Sequence, residues 1–222
     1  MHKFVQALSV CIILLDNVVN IYSRKEKAKM KQDEFRRKLI DGTIFVIAQY
    51  GLDKASTKQI GTVTSVNEAY IYRCFKNKEH MFAKAFSNLD EELVSKVMEH
   101  VSVMYDTSME FEKRCRVFFF EVWEFILNNR DRCLAYMQYF YSPYFAMYSA
   151  EEHEKRCKPI VEKFCDAFKD EADVWMILNH ILNVMLDFAV KVHNNLMPNT
   201  EIYAEHVFRV VYRSVEQYFR WV

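Results

Sequence analysis

Only 3 glycines and 3 prolines punctuate 222 residues, and this scarcity is the strongest constraint on the fold. Hairpins and long loops draw on those residue types, so little material is left for either. Apolar residues recur at helical spacing from about residue 35 to the end, and no stretch sustains the apolar/polar alternation of a half-buried strand. The expected fold class is all-α. At 26.7 kDa the chain can bury a full hydrophobic core, as one domain or as a small domain joined to a larger one.

Six cysteines (Cys11, Cys74, Cys115, Cys133, Cys157, Cys165) are scattered without a CxxC pair or zinc-like pairing with histidine. That usage suits a reduced, cytoplasmic interior better than a disulfide framework. Formal net charge is zero, but its distribution is uneven. Residues 1–80 hold 14 Lys+Arg against 8 Asp+Glu, and residues 81–222 hold 16 against 22. A head of about +6 on a body of about −6 suits a phosphate-facing end on a body that stays off nucleic acid.

Residues 1–29 form a leader. Phe4 to Leu15 is predominantly apolar behind Lys3, too short to span a bilayer, and is followed by Asp16, Asn17 and a basic run from Arg24 to Lys29 rather than a cleavage site. Neither secretion nor a membrane anchor is expected. Two readings stay open: Met30 is the natural start, or the leader is an extra helix packed on the body.

Asp33 to Tyr50 reads as a first helix, with Phe35, Leu39, Ile44, Ile47 and Ala48 on one stripe and Gly51 where a left-handed C-terminal cap belongs. Ser56 or Thr57 can cap a short helix through Ile60 to Val63, and Asn67 can cap a second through Arg73. Thr64, Ser65 and Val66 join them. Lys76 to Lys78 make a basic turn, after which a long helix from Glu79 to about Val101 buries Met81, Phe82, Ala85, Leu89, Leu93 and Val97. Further helices are expected near Met109–Leu127, Asp131–Phe140, Ala150–Phe168, Asp173–His193 and Thr200–Phe219.

Two short helices meeting at a tight joint, with an aromatic pair and a basic cap, describe a helix-turn-helix over about 56–75. Such a unit sets its second helix in the DNA major groove. The stretch resembles the TetR family of one-component regulators, through Thr57, Ile60, Val66, Ile71-Tyr72, Phe75, Lys78-Glu79 and the upstream Tyr50-Gly51. Two positions depart from the family pattern: Gly61 replaces the usual Ala, and Ser65 stands where the joint normally has Gly. The resemblance implies a DNA-binding domain over 32–92 and an effector-binding and dimerisation domain over 93–222. It implies phosphate contacts from Thr57, Tyr72 and Lys78, a DNA contact from Lys58, and a reading surface of Asn67, Glu68, Ala69, Tyr70 and Arg73. The implied partner is double-stranded DNA with a palindromic operator, and repression is the family's usual mode.

Twelve of the chain's aromatic residues lie between Phe118 and Tyr148, a density that fills a core or lines a cavity with hydroxyl rims. By resemblance this segment holds the pocket for an apolar or aromatic small-molecule effector, with Phe118, Phe119, Val122, Trp123, Tyr136, Tyr139, Phe140 and Tyr144 as its candidate residues. The last two helices are apolar on more than one side, so each must be covered all round. A two-fold homodimer with a four-helix interface is the expected cover, through Trp175, Leu178, Leu182, Met185, Tyr203, Val207, Val210, Val211 and Tyr218.

No HExxH, Gly-rich phosphate loop or GxSxG occurs, so no catalytic residues, metal ligands or cofactor are expected. Glu151-Glu152-His153 reads as a solvated helix start, and His180 with Asp187 as a hydrogen-bonded pair. A rival to the DNA-binding regulator is a ligand-responsive helical protein that acts through a protein partner, suggested by Glu68 and the single basic residue, Arg73, of the recognition helix.

Overall fold

The computed structural model describes residues 29–220; the leader through residue 28 lies outside the described residues. Ten α-helices and three 3-10 turns account for about four fifths of the described residues, with no strand among them beyond one isolated bridge between Phe168 and Phe219. Helix α1 covers 29–50 and ends at Gly51, whose φ of +90° is the left-handed cap the sequence suggested. Helix α2 (Thr57–Thr64) opens with a capping box in which Ser56 and Gln59 satisfy each other's backbone amides. Asn67 caps α3 (Glu68–Cys74), and Asn77 caps α4 (Lys78–His100) through His80 N–H.

The head core is built from Leu39, Val46, Ile47, Ile60, Ile71, Phe75, Met81 and Phe82, each at most 2 % exposed. These are the periodic apolar positions of α1 to α4. Ser65 holds φ +54° and ψ +35° at the joint, a left-handed conformation that an L-residue with a Cβ adopts at a cost. Ser65→Gly should therefore stabilise the protein by about 1 kcal/mol, read as a higher urea midpoint at unchanged slope. A lower midpoint would show that the strain is absent.

In the body, α5 (Phe111–Asn128), α6 (Arg130–Phe140), α7 (Pro143–Tyr148) and α8 (Ala150–Phe164) pack on α4, and α9 (Val174–His193) and α10 (Glu201–Val215) pack on each other and on this layer. Helix α7 was not foreseen. Ser142-Pro143 reads as a break, yet Pro at the first helical position starts a helix as readily as it ends one. The predicted ends of α8 and α10 tighten into 3-10 turns at Cys165–Ala167 and Glu216–Tyr218.

Head and body meet on two helices. Besides the continuous α4, α6 grips α1 and its C-terminal cap: Gln49 Nε2 donates to Asp131 at 2.9 Å, Leu52 N–H to Gln138 Oε1 at 2.9 Å, and Arg132 to Asp41 at 3.1 Å. Arg132 also reaches Glu92 on α4 at 3.2 Å. Burial pushes the Glu92 carboxyl up, Arg132 pulls it back, and Asp41 and Glu91 add to the rise.

Candidate nucleic-acid interface and ligand cavity

On the head, Lys58, Asn67, Glu68, Ala69, Tyr72 and Arg73 are exposed, while Thr57 is buried and Lys78 partly so. Tyr70 sits differently from expectation. It is half-buried, and its ring lies 5.3 Å from Phe35 of α1, because an aromatic on a seven-residue helix gains more by covering the head core than by standing in water. The Lys78 ammonium lies 5.1 Å from the Phe82 ring centroid. His80 senses the basic surroundings: burial lowers its pKa first, and Lys84, Lys76 and Arg36 lower it further. A field of that sign attracts phosphate.

Thr57, Tyr72 and Glu68 converge. The Thr57 hydroxyl donates to a carboxylate oxygen of Glu68 and stands 3.5 Å from the Tyr72 hydroxyl. An anion thus already occupies the donor at the N-terminus of α2, where unsatisfied amides favour negative charge.

Some 150 Å³ of cavity lies inside the body between α4, α5, α8, α9 and α10. Phe118, Phe119, Val122 and Tyr136 line it. Trp123, Tyr139, Phe140 and Tyr144 are placed elsewhere. Trp123 stacks on the Phe119 ring at 5.8 Å, Tyr139 stacks on Phe86 at 4.8 Å, Phe140 covers Tyr136 at 5.8 Å, and Tyr144 meets Phe82 edge-on at 6.4 Å. They form the aromatic packing behind the wall.

The cavity's far wall comes from residues expected at a subunit interface. Trp175, Leu178, Leu182, Met185 and Val211 all line it, and Val207 is 1 % exposed inside the chain's own core. Tyr203 and Tyr218 are half-buried, and the Tyr203 hydroxyl has no hydrogen-bond partner among the described residues. Val210 does face outward at 52 % exposure, as do Met176 of α9 at 55 % and Ile202 of α10 at 73 %. A helix apolar all round has two sides to cover, and periodicity alone does not say which one meets the chain's own body. Helix α9 is also long and apolar enough to cross a bilayer by length and composition, but Ile177, Met185, Leu186, Ala189 and Val192 pack into the body.

One end of the cavity is polar. Asp90, fully buried on α4, accepts hydrogen bonds from Arg156 and from His153 Nδ1 at 2.9 Å, both on α8, and from the Tyr136 hydroxyl at 3.4 Å. Arg156 also donates to Ser87 Oγ at 2.9 Å. Burial, with Asp90 adding to it, drives the Tyr136 phenol well above its ordinary range, so it keeps the proton it donates. Burial likewise pushes the Cys157 thiol up to about 12. Asp90, His153 and Cys157 carry donor atoms within 4.8 Å of one another, a spacing that suits one metal ion. Both Asp90 oxygens are engaged by side-chain donors of α8, so the cluster ties α4 to α8 as a hydrogen-bonded latch.

This latch corrects the reading of Glu151-Glu152-His153 as a solvated start. Glu151 and Glu152 are solvated, but His153 is 4 % exposed. A signal was present in Asp90 itself, an acidic residue one helical turn from Phe86 on the buried side of α4. His180 is not paired with Asp187: it meets Ser214 Oγ at 3.0 Å, while Asp187 binds Lys191 at 2.6 Å.

Residues 39–85 match the family model of the bacterial regulatory proteins of the tetR family. Similar solved structures include a TetR family transcription regulator from Marinobacter aquaeolei VT8, at TM-score 0.68 and 11 % identity over 83 % of this chain and 97 % of that one. Another is the fatty acid degradation regulator FadR from Bacillus halodurans, at 0.62 and 15 % over 79 % and 96 %. A third is the multidrug binding protein EbrR complexed with imidazole, at 0.53 and 14 % over 79 % and 93 %. Identities this low speak for the fold. No curated protein sequence matches. Residues 39–85 thus carry the head of the tetR family of bacterial regulatory proteins, and the described chain shares its fold with solved TetR family transcription regulators.

Proposed function

We propose that the protein is a cytoplasmic repressor that binds a palindromic operator as a homodimer and releases it when an apolar or aromatic small molecule enters the body cavity. The observation that carries this reading is one continuous helix: α4 begins at Lys78 on the basic head and forms part of the cavity wall at Asp90, Leu93, Val94 and Val97. At about 1.5 Å per residue, Asp90 lies about 18 Å along the axis from Lys78. A tilt of about 5° about that point would move the head end by about 1.5 Å. Two heads about 34 Å apart on DNA lose register together when both move. Exposed apolar side chains on the last two helices, Met176, Ile202 and Val210, support the dimer. The EbrR and FadR likenesses support a small-molecule effector, by analogy alone. The division at about residue 92 into head and body belongs to the same proposal.

Selection of binding sites from random DNA should enrich a two-fold sequence. In the enriched site Lys78→Ala should weaken binding about tenfold and lower the salt slope by about 1. An unchanged slope would remove Lys78 from the phosphate contacts.

The reading through a protein partner is favoured by the carboxylate of Glu68 against Thr57, since it stands where a phosphate would bind. Glu68→Gln should then strengthen DNA binding generally, by about threefold to tenfold. If the variant still enriches no DNA sequence at low salt, the partner reading takes over.

A further inference from the structure

We propose that the polar end of the cavity selects a compact aromatic alcohol or phenol, whose hydroxyl hydrogen is accepted by His153 Nε2. The inference rests on the effector cavity proposed above and names the ligand class it takes.

The His153 ring is oriented by its neighbours. A carboxylate only accepts, so the 2.9 Å contact with Asp90 Oδ1 puts the proton on Nδ1 and leaves Nε2 as the lone-pair acceptor of the neutral ring. Nε2 meets only the Cys157 sulfur, at 3.9 Å, among the described residues, and the ring lines the cavity. Asn179, also on the wall, spends one amide N–H on the Trp175 carbonyl at 2.9 Å and keeps Oδ1 as an acceptor beside its second N–H. Tyr136 spends its hydroxyl proton on Asp90.

Charge narrows the choice. Asp90 lines the cavity and is already balanced by Arg156, so an anionic head would face a buried carboxylate with no cation to spare, and a cationic head would be desolvated beside a carboxylate whose charge is already met. A neutral donor meets neither penalty. Size and walls narrow it further. A cavity of about 150 Å³ lined by apolar side chains holds a benzene-sized ligand. Phe118, Phe119, Phe164, Trp175 and Phe208 offer ring faces and edges suited to an aromatic guest.

Calorimetric titration of the intact protein with benzyl alcohol, toluene, benzoate and zinc chloride tests the assignment. Benzyl alcohol should bind at least about tenfold tighter than toluene or benzoate, the discrimination expected of one buried hydrogen bond. His153→Phe should keep toluene binding and lose the preference. In unsubstituted protein carrying 15N-labelled histidine, benzyl alcohol should shift the His153 Nε2 resonance and toluene should leave it in place, a readout that survives if the variant fails to fold. Toluene binding as tightly as the alcohol would overturn the proposal, as would tightest binding of benzoate, which needs a doubly protonated ring. Zinc binding in preference to all three would assign the cluster to a metal and overturn it equally. Alcohol binding without DNA release leaves the ligand class standing and removes the effector role. Loss of DNA binding altogether leaves the titration unaffected.

Discussion

Asp90→Ala should destabilise the protein by about 3–5 kcal/mol, the range for removing one partner from a buried ion pair. The carboxylate is fully buried and accepts from three side chains, so its loss strands the Tyr136 hydroxyl, His153 Nδ1–H and the inner face of the Arg156 guanidinium together. Arg156 keeps 22 % of its side chain in solvent and can turn outward, which pulls the expectation toward the lower end. His153, at 5 % of its side chain, has no such route. Chemical denaturation at neutral pH reads the effect as a lower midpoint at unchanged slope. Adding Arg156→Met should recover more than about 1 kcal/mol, because the stranded charge leaves with the substitution and a flexible apolar chain replaces it. A single-variant cost below about 1 kcal/mol would show that the latch carries little of the α4–α8 packing.

The same substitution separates stability from signalling. The latch ties the cavity's polar end to the middle of the helix that bears Lys78, so a ligand can shift α4 only through groups whose contacts differ between the two states. If Asp90 is that group, the folded Asp90→Ala protein binds DNA while its release by a cavity ligand is weakened. Comparing operator affinity with and without ligand measures this coupling free energy directly.

Much of the head was legible because it is local. Ser56, Asn67 and Gly51 are caps whose chemistry acts within four residues, and the structure sets all three at helix ends. The body was legible only as helices. Which face of α9 meets the cavity depends on α5 and α8, far away in sequence, so Trp175, Leu178 and Met185 read as outward-facing when they line the chain's own interior. Asp90 and His153 are 63 residues apart, and no periodicity joins them. The cavity wall was half legible for a related reason. Aromatic density marks the region, but Trp123 and Tyr139 sit one turn along the same faces as Phe119 and Tyr136, and only the packing of distant helices decides which turn meets the cavity.

The two departures from the family pattern near the joint are part of a larger steric fit, and a paired substitution exposes it. A Cβ added at Gly42 of α1 would lie 2.2 Å from the Thr64 methyl carbon, far inside contact distance. Thr64 cannot swing aside cheaply. It is 3 % exposed, its hydroxyl donates to the Ile60 carbonyl at 2.7 Å, and a β-branched side chain in a helix is confined at χ1. Gly42→Ala should therefore destabilise the head by about 1–3 kcal/mol, as overpacking does, although Ala in a helix interior is otherwise favoured over Gly by about 1 kcal/mol. In a Thr64→Ala background the obstructing methyl is gone and the propensity term is left to act, so the same substitution should become stabilising by up to about 1 kcal/mol. Helix α1 would then close on α2 without displacing the recognition helix, and operator affinity of the double variant should match that of the unsubstituted protein. A sign that fails to invert between the two backgrounds would mean that α1 and α2 move apart freely. The close approach at Gly42 would then set neither the stability of the head nor the aim of α3.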